Sequence, residues 1–278
     1  MKKLYDHVCI RTSRQVTRAY STSFSLGIRF LAKEFRDPIY AVYGFVRFAD
    51  EIVDTFHDYD KKALLDDFRR DTYAAIDKGI SLNPIMQSFQ EVVNKFGIDR
   101  ELIDAFLFSM EMDLGKREYT QEEYERYILG SAEVVGLMCL KVFVEGDNTK
   151  YEELRWYAMR LGSAFQKINF LRDLKADYVG LGRTYFPGVD ISHWDKETKR
   201  RVEEDIEIDF KNGYEGILKL SRKARFGVYV AYIYYYNLFS KIKSMEARNI
   251  LDERVRIPNR RKYALFVKSY VRHSLNLI

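Results

Sequence analysis

The chain has 278 residues, of which 47% are hydrophobic and 31% are charged, and its formal net charge is +5. This composition is typical of a folded globular protein and excludes a mainly disordered chain. The two cysteines, Cys9 and Cys139, lie far apart in the sequence. Their number and separation exclude a disulfide framework and a cysteine zinc site.

The N-terminal segment, "MKKLYDHVCIRTSRQ", carries basic residues without an apolar stretch behind them. It therefore lacks the pattern of a secretory signal, and no later window is apolar over the length of a spanning helix. We expect a cytoplasmic protein.

Apolar residues recur with a helical period along the chain, for example in "ALLDDFRRDTYAAI" and "ELIDAFLFSMEMDL". Among the places where this period breaks are Asp37 to Pro38, Asn83 to Pro84, and Gly97. None of the breaks resembles an interdomain linker. The sequence predicts an all-α protein, a single-domain helical bundle over residues 1–278 with a central cavity between facing helices.

The first acidic segment is "FADEIVD", residues 48–54, inside an otherwise apolar stretch. On a helix, Asp50 and Asp54 lie on one face about 5–6 Å apart, and like charges at that spacing weaken the helix. Arg47 lies one turn before Asp50. One interpretation is that Arg47 simply compensates the acids on a solvated face, and the other is that the acids await a cation.

A second acidic segment, "FQKINFLRDLKAD", follows at residues 165–177. Its polar side chains recur every three or four residues and form one stripe on a helix: Gln166, Asn169, Asp173 and Asp177. Facing carboxylates in a helical cavity suit Mg²⁺, which binds oxygen ligands and is usually held by one or two carboxylates together with substrate phosphates. Arg47, Arg172 and Lys175 are candidate donors to phosphate oxygens.

The remaining charged and aromatic residues favour packing over chemistry. Most of the twenty-one tyrosines and nineteen phenylalanines are interpreted as core, and the four histidines lack a metal-ligand spacing. The basic segment "RVRIPNRRKYALFVKSYVRH" could contact an anionic membrane or cap a terminal helix. No zinc finger or recognition helix accompanies it, so nucleic-acid binding is not predicted.

Several segments together resemble the phytoene and squalene synthase family. They are "STSF" at 21–24, "FADEIVD", "MEMDL" at 110–114, "YILGSAEVVG" at 127–136, "QKINFLRDLKAD" and "GRTYFP". The chain departs from the family at Glu133, where a glycine is usual, and at Pro258 and Asn259, which interrupt a basic pattern. An acid beside a hydrocarbon tail must point elsewhere or be paired.

The resemblance implies an isoprenoid synthase fold and the head-to-head joining of two identical allylic diphosphates through a cyclopropyl diphosphate. We expect geranylgeranyl diphosphate as substrate, phytoene as product, about three magnesium ions per site and no NADPH. The alternative is farnesyl diphosphate, giving dehydrosqualene or squalene. A head-to-tail prenyltransferase or terpene cyclase, in which an adjacent D-D-x-x-D pair is more usual, and a non-catalytic assembly protein are less favoured.

The resemblance also assigns roles to residues. The expected metal ligands are Asp50, Asp54, Asn169 and Asp173, with Asp177 assisting them. Those expected to bind the diphosphates are Ser21, Ser23, Arg47, Gln166 and Arg172. Three tyrosines are expected to bound the reacting centre: Tyr43, Tyr127 and Tyr235. From the rise of the helix that contains Asp50, the expected floor of the tail pocket is formed by Ile39 and Tyr40, and Ile28 is expected beside it. We further expect a monomer that associates peripherally with the inner face of the membrane.

Overall fold

The computed structural model describes residues 1–115, 118–176, 178, 184–189, 194–251 and 255. Its helices are α1 (Lys2–Tyr20), α2 (Thr22–Arg29), α3 (Lys33–Asp54), α4 (Lys61–Lys78), α5 (Pro84–Phe96), α6 (Arg100–Met112), α7 (Gln121–Ile128), α8 (Val134–Phe143), α9 (Asn148–Ala176), α10 (Lys196–Lys219), α11 (Arg222–Lys243) and α12 (Ala247–Ile250). A π-helical turn, Leu129–Glu133, joins α7 to α8. The predicted all-α bundle is confirmed, while the extent of the domain over 1–278 stays a prediction.

Local sequence explains where several helices begin and end. Ser21 caps α2 by accepting a hydrogen bond from the backbone N–H of Phe24 at 3.2 Å. Asn83 caps α5 in the same way, and Gly97 ends α5 with a φ of 62° that favours glycine. The breaks predicted at Asn83 to Pro84 and at Gly97 are therefore confirmed.

The predicted break at Asp37 to Pro38 is wrong, because Pro38 lies inside α3. A proline in a helix removes one backbone hydrogen bond and strains the preceding turn. Here it occurs near the start of the helix, and both Pro38 and Ile39 are buried. The burial of this apolar face outweighs the local preference for a break.

The core consists of two packed groups of side chains. One group lies around α3, α4, α5, α6 and α8, where the ring of Phe45 stacks on Phe89 with centroids 3.9 Å apart. The second lies around α7, α9, α10 and α11 and is rich in tyrosine. In α10, Gly216 permits close packing on α9, since an added Cβ would come within 2.3 Å of the Tyr157 Cβ. The cavity described below is lined by residues of both groups of helices.

In the described part of the chain, no helix combines the length and the apolar character that are needed to cross a bilayer.

Candidate active site

An elongated cavity of about 290 Å³ lies at the centre of the bundle. Its wall is formed by α2, α3, the π-helical turn, α8, α9, α10 and α11, and most of the lining side chains are apolar. Four polar side chains line it close to one another in the fold: Tyr43, Gln166, Asn169 and Tyr235. Along α9, the lining extends from Leu154 to Asn169, which is about 22 Å at 1.5 Å per residue.

The two acidic segments meet at one end of this cavity. Lys223 forms salt bridges of 3.1 Å with Glu34, in the first turn of α3, and with Glu145, just before α9. The two helices therefore start at the same end. Further along, the Phe24 ring contacts both Tyr43 of α3 and Phe165 of α9, so the helices run in the same general direction. Asp50 lies one turn beyond the lining residue Val46, and Asp173 lies one turn beyond the lining residue Asn169. Both carboxylates consequently lie at the other end, next to the polar part of the wall.

Four acids and one arginine form what we call the open acidic cluster: Arg47, Asp50, Glu51 and Asp54 of α3, and Asp113 at the end of α6. Arg47 donates to Asp50, and its second terminal nitrogen donates to Glu51 at 2.6 Å. Burial, and next the charge of Asp54, raise the pKa of Asp50 to about 7, and Asp113 adds to the effect. Arg47 does pair with Asp50, but the acids outnumber it in the cluster.

Asp113 is a residue that the sequence reasoning missed. It lies at the end of α6 and is buried. The hydroxyl of Tyr127 donates to Asp113 at 2.7 Å, and that of Tyr119 donates at 3.4 Å. The segment "MEMDL" contained the available signal, but its acid was given no role.

Tyr127 occupies a different place from the one expected. Its ring packs among Tyr119, Phe170 and Tyr185 and does not line the cavity wall. Burial raises its pKa well above the usual range. Tyr127 is thus connected to Asp50 through Asp113, whereas Tyr43 and Tyr235 line the cavity itself.

The polar stripe of α9 is ordered by side-chain hydrogen bonds. The amide of Asn169 donates to Gln166 at 3.3 Å and accepts from the Tyr235 hydroxyl at 3.4 Å. Arg172 donates from Nε to both oxygens of Asp173 at 3.1 Å. The fourth member of the predicted stripe, Asp177, lies outside the described residues.

Aromatic rings surround the polar part of the cavity. The Phe24 ring contacts Tyr43 and Tyr235 with centroids 5.7 and 5.9 Å apart, and Tyr235 stacks on Phe165 at 4.1 Å. Burial raises the pKa of Tyr235 to about 12 and also raises that of Tyr43. Both phenols are therefore neutral at physiological pH.

The two predicted serines lie on α2 or next to it. Ser21 caps this helix and hydrogen-bonds with the Tyr43 hydroxyl. Ser23 is partly exposed in the first turn. Neither serine lines the cavity, but Ser21 is hydrogen-bonded to Tyr43, which does line it.

Two of the three predicted tail-pocket residues line the cavity. Ile28 and Ile39 contribute to the wall. Tyr40 is buried outside this lining, and its role at the floor of the tail pocket stays a prediction. The lining positions of α3 repeat with a helical period from Ile39, and Tyr40, about 100° further around the helix, lies near Arg14 of α1.

Glu133 is likewise directed away from the cavity. It belongs to a group that we call the sealed charge network: Glu133, Arg160, Ser163, Lys167 and Asp209. Arg160 forms ion pairs with Glu133 and Asp209, and Asp209 also accepts from Ser163 at 2.6 Å and from Lys167 at 2.7 Å. The acid that departs from the family pattern is thus paired behind the cavity wall.

The donor set at the polar end of the cavity fits magnesium. The predicted ligands offer only carboxylate and amide oxygens, and repulsion between Asp50 and Asp54 raises the pKa of Asp50. Among the residues that the structure describes, no three His, Cys, Asp or Glu side chains converge as a metal-binding group. Carboxylates such as Asp50 and Asp54 would suit an ion that takes one or two protein carboxylates and completes its shell with waters and phosphate oxygens.

Comparison with known proteins decides the family. The profile of the squalene/phytoene synthase family matches residues 17–261. The chain belongs to this family. It is 31% identical to the presqualene diphosphate synthase of Rhodopseudomonas palustris over 61% of this chain and 59% of that protein. It is 26% identical to the chloroplastic phytoene synthase 1 of Zea mays over 90% of this chain and 64% of that protein. The matches thus span about 60% of the length of these two relatives.

A fuller match is found with the 15-cis-phytoene synthase of Synechocystis, at 27% identity over 93% of this chain and 83% of that protein. Solved structures of family members share the fold. A dehydrosqualene synthase in complex with ligand superposes with a TM-score of 0.80 at 20% identity, covering 97% of this chain and 98% of that chain. A squalene synthase from Alicyclobacillus acidocaldarius gives 0.75 at 20% identity, covering 86% and 95%.

Proposed function

We propose that the protein is a magnesium-dependent prenyltransferase that condenses two geranylgeranyl diphosphates head to head to give phytoene. The observation that carries the proposal is the position of both acidic segments at one end of a long apolar cavity. This arrangement suits an amphiphilic substrate, with its diphosphate at the acidic end and its hydrocarbon tail inside. The family match and the relatives named phytoene synthase support the same reaction class.

The proposed reaction balances without an oxidant or reductant. In each half, a carbon–oxygen bond breaks and a diphosphate leaves with the electron pair. In the first half, the double bond of the second substrate attacks the allylic carbon and loss of a proton closes the cyclopropane ring, so two carbon–carbon bonds form. In the second half, the skeleton rearranges and a second proton is lost from carbon. Magnesium, when bound, would stabilise the negative charge of the departing diphosphate. Asp50, Asp54, Asn169 and Asp173 are the proposed ligands.

The protein's own side chains would supply the rest of the chemistry. Arg47, Gln166 and Arg172 would orient the diphosphates through hydrogen bonds to their oxygens. The faces of Tyr43 and Tyr235 can stabilise an allylic cation. An apolar wall excludes the water that would trap such a cation. The buried neutral phenols suit this role because they add no competing charge.

The cavity is long enough to hold the tail of a twenty-carbon substrate. An extended chain advances about 1.2 Å per bond, so a geranylgeranyl tail of sixteen bonds measures roughly 19 Å and a farnesyl tail roughly 14 Å. The lining of α9 extends over about 22 Å. The second candidate, condensation of farnesyl diphosphates to presqualene diphosphate or its products, is favoured by the identity to a presqualene diphosphate synthase.

Product analysis distinguishes these candidates. Purified protein would be incubated with magnesium and either diphosphate, with and without NADPH, and the hydrocarbon identified by mass spectrometry. We expect phytoene from geranylgeranyl diphosphate regardless of NADPH, and no product in EDTA. Formation of squalene or dehydrosqualene in preference to phytoene would favour the second candidate, and absence of any condensation product would contradict both.

We also propose loose association with membranes, because the hydrocarbon product is insoluble in water. The protein should co-sediment with anionic liposomes at low salt and stay in the supernatant at high salt. Absence of binding at low salt would contradict this proposal.

A further inference from the structure

The guanidinium of Arg47 lies between two carboxylates of its own helix. Nη1 donates to Asp50, and Nη2 donates to Oε1 of Glu51 at 2.6 Å. The ring of Tyr20 lies 4.4 Å from the guanidinium carbon and fixes the plane of the group from one face. The orientation of Arg47 is therefore determined by these three neighbours together.

Glu51 and Asp50 are adjacent in sequence but have different surroundings. The Oε1 atom of Glu51 also accepts from the Thr55 hydroxyl at 2.9 Å, and the Tyr20 hydroxyl hydrogen-bonds to the same carboxylate. Its side chain is 12% exposed, against 35% for Asp50. A carboxylate that already accepts from three protein donors is poorly placed to bind a metal ion. Asp50 has the accessible oxygens, and Glu51 does not.

We propose that Glu51 is a positioning residue, which holds Arg47 beside the bound diphosphate once Asp50 has become a metal ligand. This inference rests on the proposed function. When magnesium occupies Asp50, that carboxylate accepts less well from Nη1, and Nη1 becomes available to a diphosphate oxygen. Nη2 remains on Glu51, so the guanidinium keeps its place and only one of its donors changes partner.

The negative charge of Glu51 would also help to keep Arg47 in place, in addition to the hydrogen bond between the two side chains. A guanidinium next to a divalent cation is repelled, and the repulsion is strong where little water screens it. The negative charge of Glu51 compensates Arg47 at 2.6 Å. Without it, Arg47 would be displaced from the metal when the metal binds.

The geometry of the arginine side chain allows Glu51 to position the whole guanidinium group of Arg47. The guanidinium is planar and rigid, so fixing one terminal nitrogen aims the other. In the part of the chain that the structure describes, the Arg47 Nε atom is buried without a hydrogen-bond partner. The position of the group thus depends on its two terminal nitrogens, and pre-organisation of this kind improves affinity by lowering the ordering cost of binding.

Binding measurements separate this role from the alternatives. The probe is inorganic diphosphate, titrated into the protein by calorimetry at saturating Mg²⁺. Glu51→Gln, which keeps the shape but removes the charge, should weaken diphosphate binding about tenfold, as expected for a hydrogen bond to a charged group. Binding of Mn²⁺ alone, followed by electron paramagnetic resonance, should not change. A loss of Mn²⁺ affinity would show instead that Glu51 is a metal ligand and would overturn the proposal.

A matched control is available on the same helix. Arg14 donates to Asp37 through two nitrogens at 2.7 and 2.6 Å, far from the acidic segment. Asp37→Asn removes the charge of a comparable pair and should leave diphosphate binding unchanged. If it weakened binding as much as Glu51→Gln, a general loss of helix stability would be the cause and the proposal would fail.

A double-mutant cycle tests whether Glu51 acts through Arg47. In the background of Arg47→Met, Glu51→Gln should change the diphosphate affinity by less than about twofold, because the group that it positions is gone. The proposal for Glu51 would be overturned if Glu51→Gln weakened diphosphate binding as much in the Arg47→Met background as in the wild type. It would also be overturned if the wild type and Glu51→Gln bound diphosphate equally well. Neither result would affect the proposed function. Failure of the wild type to bind diphosphate with magnesium would overturn the proposed function as well.

Discussion

Two groups of charged residues flank the cavity, and they differ in how exposed their carboxylates are and in the balance of charge among their members. In the sealed charge network, Asp209 and Lys167 are 3% and 6% exposed, and Asp209 accepts from three different side chains. In the open acidic cluster, Asp50 is 35% exposed and shares one arginine with Glu51. Asp54 and Asp113 further disfavour ionisation of Asp50.

The difference teaches that charge in apolar surroundings does not by itself mark an active site. A network whose acidic and basic side chains are paired with one another is a structural element, which is costly to break. A cluster with surplus negative charge and accessible oxygens can be stabilised by binding a cation. The following predictions test this contrast between the two regions.

The largest effect is expected from removing one charge of the open acidic cluster. Asp50→Asn should lower turnover about 10³-fold or more, because it removes a proposed metal ligand and its electrostatic contribution. The circular dichroism spectrum should not change, because the amide keeps the shape of the side chain. Asp173→Asn should behave in the same way. Near-normal product formation by either variant would remove that residue from the metal site.

The equivalent change in the sealed charge network should act on stability. Asp209→Asn removes the buried charge that Lys167 and Arg160 share, while Lys167 keeps its ion pair with Asp205 and Arg160 its pair with Glu133. The free energy of unfolding should therefore fall by about 1–3 kcal/mol. Urea denaturation would measure the loss. Conversely, turnover per folded molecule should stay within about threefold of the wild type. A stable but inactive Asp209→Asn protein would show that the network takes part in the reaction.

The pH dependence of stability should distinguish Glu133 from ordinary surface acids. Burial raises its pKa to about 7, although Arg160 opposes the shift. The folded protein therefore holds this proton more tightly than the unfolded chain. The corresponding stability is fully present below the unfolded-state pKa and is lost as the pH rises through 7.

We expect wild-type stability to fall between pH 5 and pH 8 by about 1–3 kcal/mol more than that of Glu133→Gln. Urea unfolding of both proteins at the two pH values would measure this difference. Lys167, Arg160 and Asp209 face Glu133 in both proteins, so their contributions largely cancel. Parallel pH profiles would show that Glu133 does not titrate in this range.

The smallest effect concerns the far part of the cavity. Ile28→Trp should fill space that the longer tail needs, and overpacking typically costs about 1–3 kcal/mol. The ratio of turnover on geranylgeranyl diphosphate to that on farnesyl diphosphate should fall by about tenfold. Ile85→Trp, which overpacks a buried site outside the cavity wall, is the control and should leave the ratio unchanged. An unchanged ratio in Ile28→Trp would remove Ile28 from the tail pocket.

The sequence predicted correctly those features that depend on the helical period, namely which side chains share one face of a helix. The stripe of Gln166, Asn169 and Asp173 and the placement of Asp50 follow from steps of three and four residues. The all-α fold follows from the same period and from the scarcity of proline and glycine. The motif resemblance identified the family before any contact was known.

The sequence could not show contacts between distant segments. Asp113 lies in the open acidic cluster because α6 ends beside α3. Glu133 forms an ion pair with Arg160 of α9, which also pairs with Asp209 of α10. Distance along α3 does not show on which side of the helix Tyr40 lies, because each residue is also rotated by about 100° around the axis. Pro38 was misplaced because burial of its helix face overrode a local rule.

The central claim, that the open acidic cluster and the α9 stripe together hold a metal–diphosphate complex, is tested most directly by crystallography. Crystals grown with Mn²⁺ and inorganic diphosphate would be examined by anomalous scattering at the manganese edge. We predict manganese peaks about 2.1 Å from carboxylate oxygens of Asp50 and Asp173, with diphosphate oxygens between them and a nitrogen of Arg47 on the diphosphate. Manganese bound through Glu51 or Glu133, or no peak at either aspartate while diphosphate is bound elsewhere, would contradict the account.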